Sequence, residues 1–406
     1  MRYLKLFLLL FFPALLLRAD YGNDWIKKET FAGGKRERAI AFSIGGRGYI
    51  GCGQDTAEQI RKDLWEYDSG TNSWTQKADL PGSFRRNAFA FGIGNSGYVG
   101  GGVNHAVSWM GIILADFWEY NAVTNSWIQR ANCPIYGGAG VYYSTGFSIN
   151  GRGYVCCGKV GQSTYTNQLW EYNPVTNGWV QRAPFPGGVR YAISSFVIGN
   201  FGYVGMGAGE DFFLNDFYRY SPSTNSWQQI ASFPGSPRFS CSAFSLIGKG
   251  FVVLGGDGGY RDELFEYDPN SDFWMIRAPF QGGARRNAAA FVIGNKAYVG
   301  TGKGATGKRR DFWEYTPLVL GVNDMASGSV SVFPNPVTES FSFSLGPDWE
   351  NRKCLVEIFD HSGKLILSRE NYLPGEKISR GEISSGVYFF KLSLSSVSLS
   401  GKLIFL

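Results

Sequence analysis

Glu210 and Asp211, adjacent in GAGEDFFLND, are the residue types best suited to acid–base chemistry, because neighbouring carboxylates can raise one another's pKa. Five arginines offer a different chemistry. Arg36, Arg85, Arg190, Arg238 and Arg285 each stand eleven residues after a tryptophan, at Trp25, Trp74, Trp179, Trp227 and Trp274. A ring of planar guanidinium forks suits a carboxylate or another anionic ligand, such as an acidic sugar or an acidic peptide. An internal role is the competing reading, since an acidic residue recurs downstream at Asp63, Asp116, Asp216, Glu263 and Asp311, with Asn167 in the third copy. That copy also lacks the arginine, having Val141 near its place after a three-residue insertion that brings in Tyr142 and Tyr143. Joint loss of both charges is what an arginine–acid bridge inside each repeat implies. His105, Trp109, Tyr142, Tyr165, Phe212, Phe213 and Tyr260 fall in neighbouring loops, where exposed aromatics suit stacking on sugar rings or anchoring a protein partner.

These residues are positioned by a repeat. Tryptophan recurs at Trp25, Trp74, Trp127, Trp179, Trp227 and Trp274, at intervals of 49, 53, 52, 48 and 47 residues. Seven residues before each of the last five stands a tyrosine, as in KDLWEYDSGTNSW and ADFWEYNAVTNSW, which read as strand, tight turn, strand. A second hairpin precedes each of these, as in NAFAFGIGNSGYVGGG at 87–102, so each period holds four strands. The first two strands are almost continuously apolar and glycine-rich, which marks them as the inner ones. The last copy stops at DFWEY, 311–315, without its tryptophan strand, and Trp25 stands alone at the other end. Joining them completes a sixth unit and closes a ring with no free sheet edge. Loops between units and loops between second and third strands then leave on one face, around the mouth of a central channel.

The glycine-rich strand, charged loop, aromatic strand and tryptophan strand resemble the Kelch repeat over about residues 20–315. The resemblance implies an all-β fold, a six-bladed β-propeller closed by its N-terminal strand, and a family that hosts binding scaffolds and a few enzymes. In blade number the chain is similar to the Kelch sialic-acid mutarotases, which implies a glutamate in a loop comparable to that of Glu210, beside an arginine that this loop lacks. Similarity to galactose oxidase would imply copper held by two histidines in the mouth, whereas the chain has only His105 and His361, the latter far outside the repeats.

After a linker at 318–329 the periodicity ends, and residues 330–406 alternate apolar and polar positions in short strands, the pattern of a small immunoglobulin-like β-sandwich. PNP at 334–336, IFDHSGKL at 358–365 and SGVYFFKL at 385–392 resemble the type A C-terminal sorting domain of the Bacteroidetes type IX secretion system. That resemblance implies the secretion machinery as a partner and an extracellular or cell-surface destination. At the other end, Arg2 and Lys5 precede an apolar run at 6–17 and Ala19, the order of a signal peptide over residues 1–19. The propeller is then expected over 20–317, with no transmembrane segment in the mature chain.

Aromatic content of 16%, 55 glycines and only 18% charged residues suit short strands and tight turns. The net charge of +6 is dispersed without a basic run, which argues against nucleic-acid binding. The six cysteines recur at no fixed repeat position and read as small buried residues; neither a metal site nor a cofactor is expected. The leading expectation is a glycan- or protein-binding module. The alternative is a sugar-acid mutarotase or related carbohydrate-active enzyme using Glu210, and a structural module without a small ligand is a third.

Overall fold

The computed structural model describes residues 25–105, 111–317, 330–346, 349, 351–360, 364–394 and 397–406. The expected signal peptide and linker, with Trp109 and His361, lie outside the described residues. The chain divides into two compact units, Met1–Pro317 and Leu318–Leu406.

The first unit consists of six four-stranded antiparallel sheets and a few two-stranded ribbons. The first blade is Ile40–Ile44, Arg47–Gly51, Leu64–Asp68 and Ser73–Lys77, in sequence order, and the next four follow the same scheme. The sixth is composite: Ala289–Ile293, Lys296–Gly300 and Phe312–Tyr315 are completed by Trp25–Lys28, with Trp25 opposite Tyr315. The N-terminal strand therefore removes the edge that Phe312–Tyr315 would otherwise expose. Its Trp25 ring is buried against Phe280 and Tyr315 at centroid distances of 4.7 and 5.0 Å.

Each recurrent residue type has a role in joining blades. The tyrosine of the third strand donates its hydroxyl to the turn residue five positions on, as Tyr120 does to Asn125 at 2.9 Å. That asparagine carboxamide oxygen also accepts the N–H of Ala78 from the preceding blade, while Trp127 Nε1 donates to the Ala78 carbonyl at 2.8 Å. The asparagine itself sits at φ 49°, a left-handed conformation that asparagine tolerates better than most residues. Nearer the axis, the first-strand phenylalanine of one blade packs onto a glycine of the next: a Cβ on Gly48 would come within 1.9 Å of the Phe291 ring.

Around the axis the six innermost strands present small residues, among them Ala39, Ala41, Ala88, Ala90, Ser144 and Ser195, which line a channel of about 200 Å³. Where the strands converge, one backbone hydrogen bond links each blade to its neighbour. Asn87 donates to Arg38, Tyr143 to Asn87, Ala192 to Tyr143, Ser240 to Ala192, Asn287 to Ser240, and Arg38 to Asn287, at 2.8 to 3.2 Å. The circuit has no open end. All six residues sit at φ between 53° and 60°, which turns the chain from the mouth into the channel wall.

The second unit is a sandwich of a three-stranded sheet, Ser331–Phe333, Ser340–Ser344 and Ile378–Ser379, and a four-stranded sheet, Cys354–Phe359, Leu365–Tyr372, Gly386–Leu394 and Val397–Phe405. Phe341 and Phe343 from one sheet meet Val356, Ile358, Phe390 and Leu392 from the other in its core. Asn335, between the two prolines of PNP, binds the last strand through its carboxamide: its oxygen accepts from Ile404 N–H at 2.9 Å and its nitrogen donates to the Lys402 carbonyl at 3.0 Å.

Candidate functional site at the channel mouth

The five spaced arginines do not line the mouth. Arg36, Arg85, Arg190, Arg238 and Arg285 are each 0–1% exposed, folded into the blade wall. Arg36 grips Asp63 through both guanidinium nitrogens at 2.7 and 2.8 Å, and Arg285 grips Asp311 at the same distances. Arg190 pairs with Asp216 at 2.6 Å, Arg85 with Asp116 at 2.6 Å, and Arg238 with Glu263 at 2.8 Å. Every bridge lies within one blade. The guanidinium also rests over an aromatic ring in four of the five cases, Phe31, Phe185, Phe233 and Phe280, at 4.8 to 5.2 Å. Their donors are thus directed inward, and the internal reading is the one the geometry shows.

The third blade replaces this bridge by apolar packing. Val141 and Ile135 are both fully buried. The polar residue at the acid position is Gln168 rather than Asn167, because Leu169 is the residue that aligns with Leu64 and Phe117 in the strand register. Gln168 accepts from Trp170 Nε1 and from the Tyr136 N–H, both at 3.0 Å, while Asn167 donates to the Phe185 carbonyl at 3.1 Å.

Strand alternation then decides what reaches the mouth. The residue after each wall arginine faces the opposite way, so the mouth is built from Glu37, Arg86, Tyr142, Tyr191, Phe239 and Arg286, with Arg38, Asn87, Tyr143 and Asn287 next along the chain. The sector from the sixth blade to the second is cationic. Arg286 rests over Phe239 at 5.2 Å and Tyr260 at 5.5 Å; Arg86 donates to the Gln54 carboxamide and lies 3.4 Å from His105 Nδ1. Burial holds the Arg86 and His105 pKa values below their usual ones, and the charge of Arg38 pushes both the same way, with Arg86 adding to the effect on His105. Glu37, 3% exposed, accepts from Asn287 at 3.0 Å and lies 3.6 Å from Arg38 Nε and 3.9 Å from Lys308 Nζ.

The sector formed by the third and fourth blades is aromatic. Tyr165 stacks on Tyr191 at 5.1 Å with the planes 15° apart, and Tyr143 meets Tyr191 edge-on at 5.7 Å. Lys159 Nζ sits over Tyr142, Tyr165 and Tyr191 at 5.9, 5.1 and 4.8 Å, and burial lowers its pKa. Arg38, 5.8 Å from the Tyr143 ring, joins the two sectors. Beneath them a cavity of about 150 Å³ is lined by Arg38, Asn87, Tyr143, Ala192, Ser240 and Asn287.

Of the residues singled out in the sequence, Tyr142, Tyr165, His105 and Tyr260 are brought to this mouth. Phe213 packs on Phe239 at 4.8 Å, while Phe212 is 74% exposed at the loop tip. Glu210 and Asp211 are exposed in the same loop. The positions missed by spacing were Arg38, Arg86, Arg286, Lys159 and Tyr191. Their signal was present in the second arginine of the matching triplets Arg85–Arg86–Asn87 and Arg285–Arg286–Asn287, which alternation turns away from the first. Among the described residues there is no cluster of three or more His, Cys, Asp or Glu side chains that could hold a metal, and no helix long and apolar enough to cross a membrane.

Comparison with known proteins bears on both units. Residues 331–405 match the family model described as secretion system C-terminal sorting domain. The C-terminal unit is a secretion sorting domain. A sorting domain of this kind directs its cargo to the cell surface or the extracellular space through the secretion machinery, so the propeller is exported cargo. Asn335 and the terminal strand it holds lie within the matched segment. For the first unit, the solved structure titled "Structure of YjhT" superposes with a TM-score of 0.58 at 16% identity, over 71% of this chain and 95% of that one. At that identity the likeness shows the propeller fold alone. No curated protein sequence matches the chain.

Proposed function

We propose that this exported propeller binds a carbohydrate chain at its channel mouth. The observation that carries the reading is the tyrosine surface of the third and fourth blades: Tyr165 stacked on Tyr191, with Tyr143 edge-on, beside a cavity open at the centre of the ring. The C–H face of a pyranose packs on such rings, and tyrosine combines that apolar face with a polar hydroxyl at low conformational cost. Arg38, Asn87 and Asn287 around the same cavity supply hydrogen-bonding groups for sugar hydroxyls. Phe213, Phe212 and Tyr260 extend the surface along one rim, which suits a chain longer than one residue.

A glycan array with the secreted protein tests this. Binding that falls at least tenfold in Tyr191→Ala, with the circular dichroism spectrum retained, supports it; absence of binding to every glycan rejects it. The catalytic alternative rests on Glu210 and Asp211, whose loop leaves the same face. NMR of sialic-acid anomers decides that reading: no acceleration, or an acceleration unchanged in Glu210→Gln, removes it.

A further inference from the structure

We infer that the cationic sector of the mouth is a carboxylate subsite, in which Arg38, Arg86 and Arg286 select a uronate-bearing glycan whose sugar face lies on Tyr143 and Tyr191. The inference rests on the carbohydrate reading of the mouth and adds the charge of the ligand.

The contrast with the wall arginines is the starting point. Those five each hold a carboxylate at 2.6 to 2.8 Å, so their charge is spent inside the blade. The three mouth arginines are differently placed. Arg286 has two ring faces, Phe239 and Tyr260, and Arg86 has a carboxamide, Gln54, and His105. Arg38 has the Tyr143 ring at 5.8 Å and Glu37 at 3.6 Å, the latter shared with Asn287 and Lys308. Among the described residues, the buried Nε of each of the three has no hydrogen-bond partner, which is also true of Arg36 and Arg190 in the wall. Among the described residues no carboxylate forms an ion pair with Arg86 or Arg286, unlike the wall arginines, and that uncompensated guanidinium charge points to a partner that arrives from outside.

Mutual repulsion leads to the same place. Beyond burial, Arg38 acts on Arg86 and both act on His105, a repulsion that Glu37 and Glu58 offset only in part at Arg86, whose pKa stays lowered. Lys308 adds little to this charge, because its ammonium is taken by Glu58 and the Asp55 carbonyl, each at 2.7 Å. Glu37 is buried, and its carboxylate is shared among Asn287, Arg38 and Lys308. A bound carboxylate would relieve the repulsion and accept from planar donors, a geometry guanidinium serves better than ammonium.

The backbone circuit fixes the arrangement. Arg38 donates to Asn287 and accepts from Asn87, so the residues following Arg286 and Arg86 are tied directly to Arg38. Arg38 also faces Tyr143, which in turn meets Tyr191. One ligand can therefore place its acid among the arginines and its ring on the tyrosines. An acidic peptide would satisfy the arginines but would make no use of the tyrosines beside them.

The test compares oligosaccharides of galacturonate, glucuronate and mannuronate with their methyl esters, which keep the rings and remove the charge, by titration calorimetry on the whole secreted chain. The expected result is at least tenfold tighter binding of one or more acids than of the matching ester, weakening as salt rises. In Arg86→Ala and Arg286→Ala the acid should fall to the affinity of the ester while the ester is unchanged, and in Tyr191→Ala both should be lost. Equal affinity for acids and esters overturns the carboxylate subsite but leaves the carbohydrate reading standing. Failure of all of them, together with failure across a neutral glycan array, overturns that reading too. Polyglutamate binding as tightly as the uronates and unaffected by Tyr191→Ala would assign the mouth to acidic peptides instead. Retained circular dichroism spectra separate these outcomes from misfolding.

Discussion

The Arg38 N–H donates to the Asn287 carbonyl at 3.1 Å, joining residues 249 positions apart and completing the circuit of backbone hydrogen bonds around the mouth. The Trp25 strand closes the same ring at its outer edge, opposite Tyr315. Trp25→Ala should therefore cost about 3–5 kcal/mol, as large-to-small changes of buried aromatics do. Urea unfolding followed by intrinsic fluorescence measures it. A loss below about 1 kcal/mol would show that the composite blade does not depend on its outer strand.

The wall bridges make a second prediction. Arg85→Ala removes a fully buried side chain and leaves the half-buried Asp116 with Trp118 Nε1 but without its cation, and should cost about 2–4 kcal/mol. Arg85→Val combined with Asp116→Gln imitates the third blade, where Val141 and Gln168 occupy those places. That pair should be less destabilising than the single change, as paired replacement of buried ions by apolar groups often is. Thermal melts of the three variants decide it, and a double variant as unstable as the single would contradict the substitution seen in the third blade.

Packing between the last and first blades is tested at Gly48. A Cβ there would stand 1.9 Å from the Phe291 ring, so Gly48→Ala should destabilise by about 1–3 kcal/mol through overpacking. Adding Phe291→Leu should recover part of the loss. Lack of recovery would place the strain elsewhere.

Acid should loosen the sixth blade. Burial alone would raise the pKa of Asp311 and of Glu314, yet Arg285 and Trp313 hold the first below its usual 3.8, and Lys296, Lys28 and Tyr298 hold the second below 4.5. Both carboxyls bind a proton less tightly when folded than when unfolded. Their contribution is therefore present above the unfolded values and is lost as pH falls through 3.8 and 4.5 towards the lower folded ones. The melting temperature should drop between pH 5 and pH 3, and Glu314→Gln should reduce the drop. A pH-independent melt across that range would contradict the assignment.

The blade scheme was legible because each element of the repeat has one purpose that residue type reveals. Tyr120, Asn125 and Trp127 form a single hydrogen-bonded joint to the previous blade, so their spacing cannot drift. The joint absence of arginine and acid from the third copy likewise pointed to the bridge as one of two readings, and only the burial of the five arginines decided between them. The acid position was misplaced by one residue, at Asn167 instead of Gln168, because a strand turns each side chain to the opposite face and only register distinguishes the two.

The mouth was less legible for the same reason. Spacing from tryptophan found the arginines that repeat, and repetition marked a wall. The proposed binding residues lie largely where the blades differ, at Arg38, Tyr143 and Tyr191 beside the recurring Arg86 and Arg286, and spacing from tryptophan does not identify side chains that vary from blade to blade. By itself the sequence determined the six blades, the closing strand and the sorting domain, since these follow from local pattern and from short motifs such as the one holding Asn335. Only the tertiary structure decided that cationic and aromatic side chains from six blades share one mouth. Residues far apart along the chain meet there, and it is ring closure that ties Asn287, next to Arg286, to Arg38.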